Sequence, residues 1–231
     1  MMDLNNAIIE QISAEGCQIF GFADLRALDK SATQGFPYAV IMGLNFSAEA
    51  MKENIQGAPQ RYHQENECMT LHLGRLRENI AGFLTQAGYN AQAETTSLVW
   101  NPETLRAQLQ FKTVATLAGL GFIGKCAVLI TPEAGSALRL AVVLTDAPLV
   151  CATPVKSSNC PENCTICADV CPGKAPLGPN WAHGKKREEF FDAYVCESAG
   201  RIQTEKFFDI ERNLCGLCIS HCPFTKKALQ Y

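Results

Sequence analysis

Apolar positions along the first part of the chain alternate between helical spacing and short continuous runs. Ile8, Ile9 and Ile12 recur at helical spacing between Asn5 and Glu15, with asparagines in front as caps and Gly16 as a stop, which predicts a short opening helix. Cys17 to Phe22 and Tyr38 to Phe46 are apolar runs bounded by Gly, Pro and Asn, and they predict strands, the second buried on both faces. The segment between them is predicted to be loop. From about Tyr62 to Ala87, Met69, Leu73, Leu76, Ile80, Phe83 and Ala87 step by four and three, the stripe of one long helix that Gly88 ends. That run is too short for a coiled coil, so it predicts a core-facing helix. A strand near Ser97 to Trp100, a helix from about Leu105 to Ala118, and strands at Ala127 to Thr131 and Leu138 to Thr145 follow. This alternation predicts an α/β or α+β layered domain.

Composition narrows the class. Apolar residues make up 47% of the 231 and charged residues 19%, a globular balance, and no apolar run approaches the roughly 20 residues that a membrane span requires. Twenty Lys and Arg against 23 Asp and Glu give a net charge of −3, without the basic excess of a phosphate-backbone binder, so neither nucleic acid nor membrane is an expected partner. The N-terminus has no basic start and no apolar signal core, which makes the cytoplasm the expected compartment.

In a reducing compartment, twelve cysteines point to metal rather than to a disulfide framework. Eight fall between Cys160 and Cys222, whereas Cys17, Cys68, Cys126 and Cys151 are scattered singly, so the chain divides into an α/β domain over 1–150 and a small domain over 151–231. The dense part holds Cys160-x3-Cys164-x2-Cys167-x3-Cys171-Pro172 and then Cys196, a long gap, and Cys215-x2-Cys218-x3-Cys222-Pro223. A cubane iron–sulfur cluster needs four thiolates in a tetrahedron, and the x2 spacing lets one turn offer two sulfurs. In two-cluster ferredoxins the last cysteine of each run serves the other cluster. By that rule Cys160, Cys164, Cys167 and Cys222 hold one 4Fe-4S cluster, and Cys196, Cys215, Cys218 and Cys171 hold a second. Paired Cys-x2-Cys units also make structural zinc sites, but two copies of Cys-x3-Cys-Pro favour iron and sulfur. The gaps after Cys160 and Cys196 depart from the compact ferredoxin run, which leaves Cys151 as a reserve ligand. The other scattered cysteines are expected to be small buried residues.

Gly119-Leu120-Gly121-Phe122-Ile123-Gly124 matches the dinucleotide fingerprint in letters but not in context, because a helix precedes it and a strand follows. These glycines either form a plain helix-to-strand turn or let the backbone approach something closely, with Lys125 beside them as a cation. Gly121, Gly124, Lys125, Ser136 and Arg139 are the candidate cofactor-pocket residues. No catalytic residue is assigned; Tyr38 and Tyr62 are proton-donor candidates only because phenols can donate.

The run from Ala118 to Lys125, then Leu129-Ile130-Thr131-Pro132, Gly135-Ser136, Arg139 and Thr145-Asp146-Ala147-Pro148-Leu149, leads directly into the cysteine array. This order resembles the epoxyqueuosine reductase family, and the Arg139 and Thr-Asp-x-Pro-Leu segments are also similar to the core of reductive dehalogenases. The resemblance implies a nitroreductase-like cobalamin-binding domain followed by a bacterial ferredoxin-like domain with two 4Fe-4S clusters, in a short form without C-terminal helical repeats. Where the reductases carry an acidic residue 14 positions before the glycine matched by Gly119, this chain has Leu105, and Cys68, Met69 and Thr70 replace a Tyr-His-Lys of the reductase helix. Those departures argue against epoxyqueuosine reduction itself. None of the four histidines has Asp two residues before it, so a cobalamin is expected without a histidine ligand of the Asp-x-His-x-x-Gly kind.

The expected function is that of a cobalamin-binding iron–sulfur oxidoreductase. A donor such as ferredoxin or flavodoxin passes electrons through two clusters to a corrinoid, which acts on a small molecule or serves a corrinoid protein. The alternatives are an FMN-dependent iron–sulfur reductase and a ferredoxin-like electron carrier without catalysis.

Overall fold

The computed structural model describes residues 4–94 and 100–231. In chain order the elements are α1 (Leu4–Ala14), β1 (Ile19–Asp24), α2 (Lys30–Thr33), β2 (Tyr38–Asn45), α3 (Ala48–Ile55), α4 (Gln60–Gln86), β3 (Ala91–Glu94), β4 (Trp100–Asn101) and β5 (Arg106–Ala107). They continue with α5 (Phe111–Leu117), β6 (Phe122–Ile123), β7 (Leu129–Ile130), β8 (Leu138–Thr145), α6 (Ile166–Asp169), a 3-10 turn at Arg187–Glu189, α7 (Ala193–Glu205), α8 (Leu217–Ser220) and α9 (Pro223–Leu229).

The chain forms two compact units, neither of them contiguous in sequence. One comprises Met1–Leu44, Cys68–Leu120 and Arg139–Val155; the other comprises Asn45–Glu67, Gly121–Leu138 and Lys156–Tyr231. The sequence boundary at 150 and 151 lies near the crossing at Val155, but 45–67 and 121–138 fold with the cysteine-bearing tail.

The first unit is built on a four-stranded sheet of order β1-β2-β8-β3. Strands β1 and β2 pair antiparallel, as do β3 and β8. Strand alternation sends Val40, Met42, Ala141 and Val143 to a core shared with Ile8 and Ile12 of α1 and with Leu73, Leu76, Ile80 and Leu84 of α4. Ala39 and Ile41, on the opposite face of β2, are buried as well, so this strand is covered on both sides as its apolar run predicts. Helix α5 packs against β1. Asn5 closes the unit by donating to the Val150 carbonyl at 2.9 Å and accepting from the Val150 amide at 3.1 Å.

Several elements differ from expectation for local reasons. Helix α2 replaces part of the predicted loop because the Asp29 side chain accepts from the Ser31 amide at 2.7 Å and caps it. Strand β3 has no apolar run; its backbone pairs with β8, from Ala91 opposite Thr145 to Glu94 opposite Val142. The helix predicted from Leu105 begins only at Phe111, since Leu105 stands at φ +49° in the turn between β4 and β5 of a two-stranded ribbon. The strand predicted from Ser97 lies outside the described residues except at Trp100.

The second unit has little regular structure. Ser47 caps α3, accepting from the Ala50 amide at 3.0 Å, while Glu65 of α4 accepts from the Ser47 amide at 2.8 Å and from its hydroxyl at 2.5 Å. Helix α3 packs on α8, and Asn54 donates to Ser220 Oγ at 2.7 Å and to the Cys215 carbonyl at 3.3 Å. Antiparallel β6 and β7 form a small hairpin, and every residue from Gly121 to Ala127 is buried. A methyl group at Gly121 would stand 2.0 Å from the Ile130 carbonyl oxygen, so only glycine lets the two strands approach there. Among the described residues, no helix is long and apolar enough to cross a membrane.

Candidate metal centre

The loop before α6 is shaped by its own polar groups. Ser158 Oγ accepts from the Cys160 amide at 3.2 Å, Asn180 donates to the Cys160 carbonyl at 3.0 Å, and the Cys164 amide closes a turn on the Pro161 carbonyl at 3.0 Å. Cys167 follows in the first turn of α6. Cys222 arrives from the far end of the chain as the residue preceding α9, with Pro223 opening that helix. Proline has no amide hydrogen to offer, and the next two amides, of Phe224 and Thr225, point at the Cys222 sulfur. Together Cys160, Cys164, Cys167 and Cys222 line one cavity of about 180 Å³, along with Lys125 and Cys126.

Lys125 is only 4% exposed, and its ammonium donates to the carbonyls of Glu162 at 2.6 Å and Cys164 at 3.1 Å. It therefore clamps the loop that presents Cys160 and Cys164. Ser136 is buried, its amide donates to Thr225 Oγ1 at 3.0 Å, the two hydroxyls are 2.9 Å apart, and its side chain also hydrogen-bonds Cys222.

Cys171, Cys196 and Cys215 form the second neighbourhood, close enough that the charges of Cys171 and Cys215 act on Cys196. Asn213 holds it: its amide nitrogen donates to the Cys196 carbonyl at 3.0 Å and lies 3.6 Å from the Cys196 sulfur, while its oxygen accepts from the Cys215 amide at 3.4 Å. Thr204 of α7 accepts from the Leu214 amide at 2.9 Å, and the Ala175 amide donates to the Cys171 sulfur at 3.4 Å. Cys218, on α8, lies near Cys126, which also lies near Cys167 of the first set.

Burial pushes the thiols of Cys196, Cys215 and Cys222 up, because a thiolate loses solvation there. Backbone amides from Leu217 onto Cys215, and from Phe224 and Thr225 onto Cys222, oppose that shift. Cys167 is raised mainly by its hydrogen bond to Cys126 and then by burial. Among the described residues, no three His, Cys, Asp or Glu side chains converge tightly enough to hold a single metal ion.

Four of the five expected pocket residues, Gly121, Gly124, Lys125 and Ser136, fall in the cysteine-bearing unit and are engaged internally. A methyl at Gly124 would stand 2.6 Å from Ile130 Cδ1 and 3.6 Å from the Cys160 sulfur. Arg139 lies on β8 in the sheet-bearing unit and reaches Thr70 Oγ1 at 3.5 Å. Cys151, expected as a reserve ligand, is also in the sheet-bearing unit, with its thiol directed at the Leu149 carbonyl at 3.5 Å. Cys17 is buried and donates to the Gly43 carbonyl at 3.0 Å, and Cys68 is exposed. Cys126 is buried, as expected of a scattered small residue, whereas Cys68 is not, and sequence reasoning missed Asn213 and Thr225. Asn213 carries a usable signal, since Asn two residues before Cys215 is the spacing of an Asx turn.

No family model matches the chain. Over 156 residues it is 30% identical to the epoxyqueuosine reductase of Lactococcus garvieae (strain Lg2), covering 67% of this chain and 40% of the relative. It is 32% identical over 123 residues to the tetrachloroethene reductive dehalogenase of Sulfurospirillum multivorans, covering 48% of this chain and 23% of the relative. Among solved structures, an epoxyqueuosine reductase in complex with a tRNA stem loop has a TM-score of 0.63 at 18% identity, covering 96% of this chain and 65% of that one. A reductive dehalogenase described as acting in B12-dependent dehalogenation has a TM-score of 0.65 at 18% identity, covering 97% of this chain and 33% of that one. The tRNA complex corrects the exclusion of nucleic acid drawn from net charge: a protein of this fold binds it, and a whole-chain sum does not report where basic residues sit. The chain spans less than half the length of these curated relatives, and it is a homologue of epoxyqueuosine reductases and reductive dehalogenases that shares their mixed α/β fold.

Proposed function

We propose that the chain is a cobalamin-binding iron–sulfur oxidoreductase that passes single electrons through two 4Fe-4S clusters to a corrinoid. The observation that carries the iron–sulfur part is the ring of Cys160, Cys164, Cys167 and Cys222 around one cavity of about 180 Å³. A single zinc ion, bound at about 2.3 Å to each sulfur, would draw four thiols to within about 4 Å of one another. A cavity lined by thiols suits a polynuclear cluster better. The second cluster would take Cys171, Cys196, Cys215 and Cys218.

When bound, the clusters would supply one-electron transfer at low potential. The chain's own groups fit that role. Lys125 places a buried positive charge beside the first set, which offsets the negative charge of a thiolate-ligated cluster. Amides directed at Cys222, Cys171 and Cys215 supply hydrogen bonds to ligand sulfur. In this reading the sheet-bearing unit is nitroreductase-like and the cysteine-bearing tail ferredoxin-like, with a functional boundary near residue 150.

The corrinoid rests on kinship with a B12-dependent dehalogenase and not on a cavity. The thiol-lined cavity, at about 180 Å³, is smaller than the roughly 300–1,000 Å³ of organic-ligand sites, and of the five residues expected to line a corrin pocket, Lys125 and Ser136 are engaged with the cysteine sets while Gly121 and Gly124 pack against Ile130. The substrate class is a small molecule or a corrinoid protein, with a ferredoxin or flavodoxin as donor.

The test is anaerobic purification and reconstitution with iron, sulfide and cobalt quantitation, followed by addition of cob(II)alamin and a strong reductant. Iron and sulfide for two cubanes with optical changes at cobalt are expected. Zinc in place of iron would overturn the proposal, and a yellow flavin chromophore would replace the corrinoid part with an FMN enzyme.

A further inference from the structure

A second cavity of about 180 Å³ lies in the cysteine-bearing unit, and Cys215 is the one thiol among its lining residues. Its walls are otherwise mainly apolar: Ile55 of α3, Pro59 ahead of α4, Phe207 and Phe208 after α7, and Leu214 and Leu217 around Cys215. Phe208 is fixed by stacking on His63, whereas Phe207 is 37% exposed and reaches the surface. The polar groups inside are already bonded: Asn54 donates to Ser220 and the Cys215 carbonyl, and Thr204 donates to the Gly200 carbonyl at 2.9 Å. Gln203 lines the same cavity and accepts from the Lys206 ammonium at 3.0 Å, which brings a cation to the rim. That partner is a neutral amide, so the contact leaves the lysine's charge uncancelled. Arg61 and Arg212, close in sequence to Pro59 and Leu214, are instead paired with Glu53 at 2.9 Å and Glu67 at 3.6 Å.

A cavity of roughly 150 Å³ accommodates one benzene ring, and drug-sized ligands need roughly 300 Å³ or more. Size therefore admits one ring with a small substituent and excludes a flavin or a corrinoid here. An apolar interior with a cation at the rim selects a ring that carries one negative charge. We propose that this cavity binds a small monocarboxylate with an apolar ring, and that the bound ligand lowers the reduction potential of the second cluster. The carboxylate meets Lys206, and the ring packs on Phe207, Phe208 and Leu217. The redox part rests on the iron–sulfur reading above; the binding part does not. Two effects act in the same direction: the ring displaces water beside Cys215, and the carboxylate adds negative charge nearby, so each disfavours the extra electron of the reduced cluster. In that reduction one electron passes from a low-potential one-electron carrier protein to the cluster, while the ligand forms no covalent bond and is neither oxidised nor reduced. By linkage, the oxidised protein binds the ligand more tightly than the reduced protein, by the factor that the potential shift expresses.

The test uses the reconstituted full chain with sodium benzoate as probe, benzamide as its neutral counterpart and acetate at equal ionic strength as control. Calorimetry reads binding, and redox titration followed by electron paramagnetic resonance reads the clusters. Benzoate should bind the oxidised protein with a Kd of about 1 mM or tighter, and acetate should not bind. Saturating benzoate should lower the midpoint potential of one cluster and leave the other unchanged. A tenfold preference for the oxidised protein would appear as a shift of about 59 mV for a one-electron couple. Lys206→Met should weaken benzoate by up to about fivefold and leave benzamide unchanged, while Phe207→Ala, at a partly exposed position, should weaken both. Absence of saturable benzoate binding would overturn the site, as would benzoate binding that neither variant weakens. Saturation without a change in either potential would overturn the coupling. Wild-type protein without iron would instead remove the iron–sulfur reading, a result seen before benzoate is added, and calorimetry would still decide the binding part.

Discussion

The ammonium of Lys125 lies 3.1 Å from the carbonyl oxygen of Cys164, and this buried contact ties the β6–β7 turn to the loop that carries two candidate ligands. The same ammonium binds the Glu162 carbonyl at 2.6 Å. Lys125→Met keeps the stem and removes the charge. It should cost about 1–3 kcal/mol for each carbonyl left without a partner, and it should lower the reduction potential of the first cluster. Urea unfolding and a redox titration read the two effects; a variant with wild-type stability and potential would show that the lysine does neither.

Asn213 makes a selective prediction, because its three contacts all belong to the second set. Asn213→Ala should leave the first cluster in place and reduce total iron toward half. Equal loss from both sets, resolved by their separate paramagnetic signals, would contradict this assignment.

Glycine substitutions should differ in sign across the molecule. Gly135 has φ +57°, and a methyl there would stand 2.3 Å from Thr225 Cα, so Gly135→Ala should destabilise by at least about 2 kcal/mol. Gly121→Ala, against the Ile130 carbonyl, should cost about 3 kcal/mol. Gly82 lies within α4, where an added methyl group would meet nothing within 4 Å, so Gly82→Ala should stabilise by about 0.5–1 kcal/mol. Thermal unfolding of the three variants checks the ordering.

His63 should give the fold an acid-sensitive element. It is 6% exposed and stacks on Phe208 at 3.9 Å between ring centroids, and its Nε2 has no hydrogen-bond partner. Burial first, then the neighbouring Arg212, hold the imidazole below its ordinary range, with Glu67 opposing. A histidine depressed in the folded state binds its proton more readily when unfolded. Its contribution is therefore full above the ordinary value of about 6.5 and is lost as pH falls from there through the lower folded value. His63→Phe keeps the stacking and should flatten the dependence of the urea midpoint between about pH 7 and 5 relative to wild type. An unchanged slope would assign the acid sensitivity elsewhere.

Removal of metal should act unevenly. The cysteine-bearing unit has short helices and few strands, so its order should depend on the ligands its cysteines hold. After iron is stripped by a chelator, limited proteolysis should cut first between Lys156 and Tyr231, while β2 and β8 stay protected. Early cleavage within the sheet would show that the metal supports both units alike.

Elements with strong local patterns were legible in the sequence. Strand β8 occupies Leu138–Thr145 as its apolar run predicts, β2 is buried on both faces, and Leu73, Leu76 and Ile80 of α4 enter the core. Elements without such a pattern were not. Strand β3 is Ala-Gln-Ala-Glu, which becomes a strand only by pairing with β8, and α3 was missed although Ser47 caps it. The helix expected from Leu105 failed because a positive φ there belongs to a turn, and no periodicity reports a single dihedral.

The cysteine spacing by itself determined that the tail offers thiols in local groups, since an x2 or x3 gap fixes how far apart neighbouring sulfurs can lie whatever the rest of the chain does. Tertiary structure alone decided what surrounds them. Lys125 and Ser136, which the linear sequence suggested as pocket residues, were turned onto the Cys164 loop and Cys222, and Cys126 was brought to the cavity of the first set. Contacts between residues tens of positions apart are set by how the hairpin, α6, α8 and α9 pack, and that packing leaves no periodic trace in the sequence.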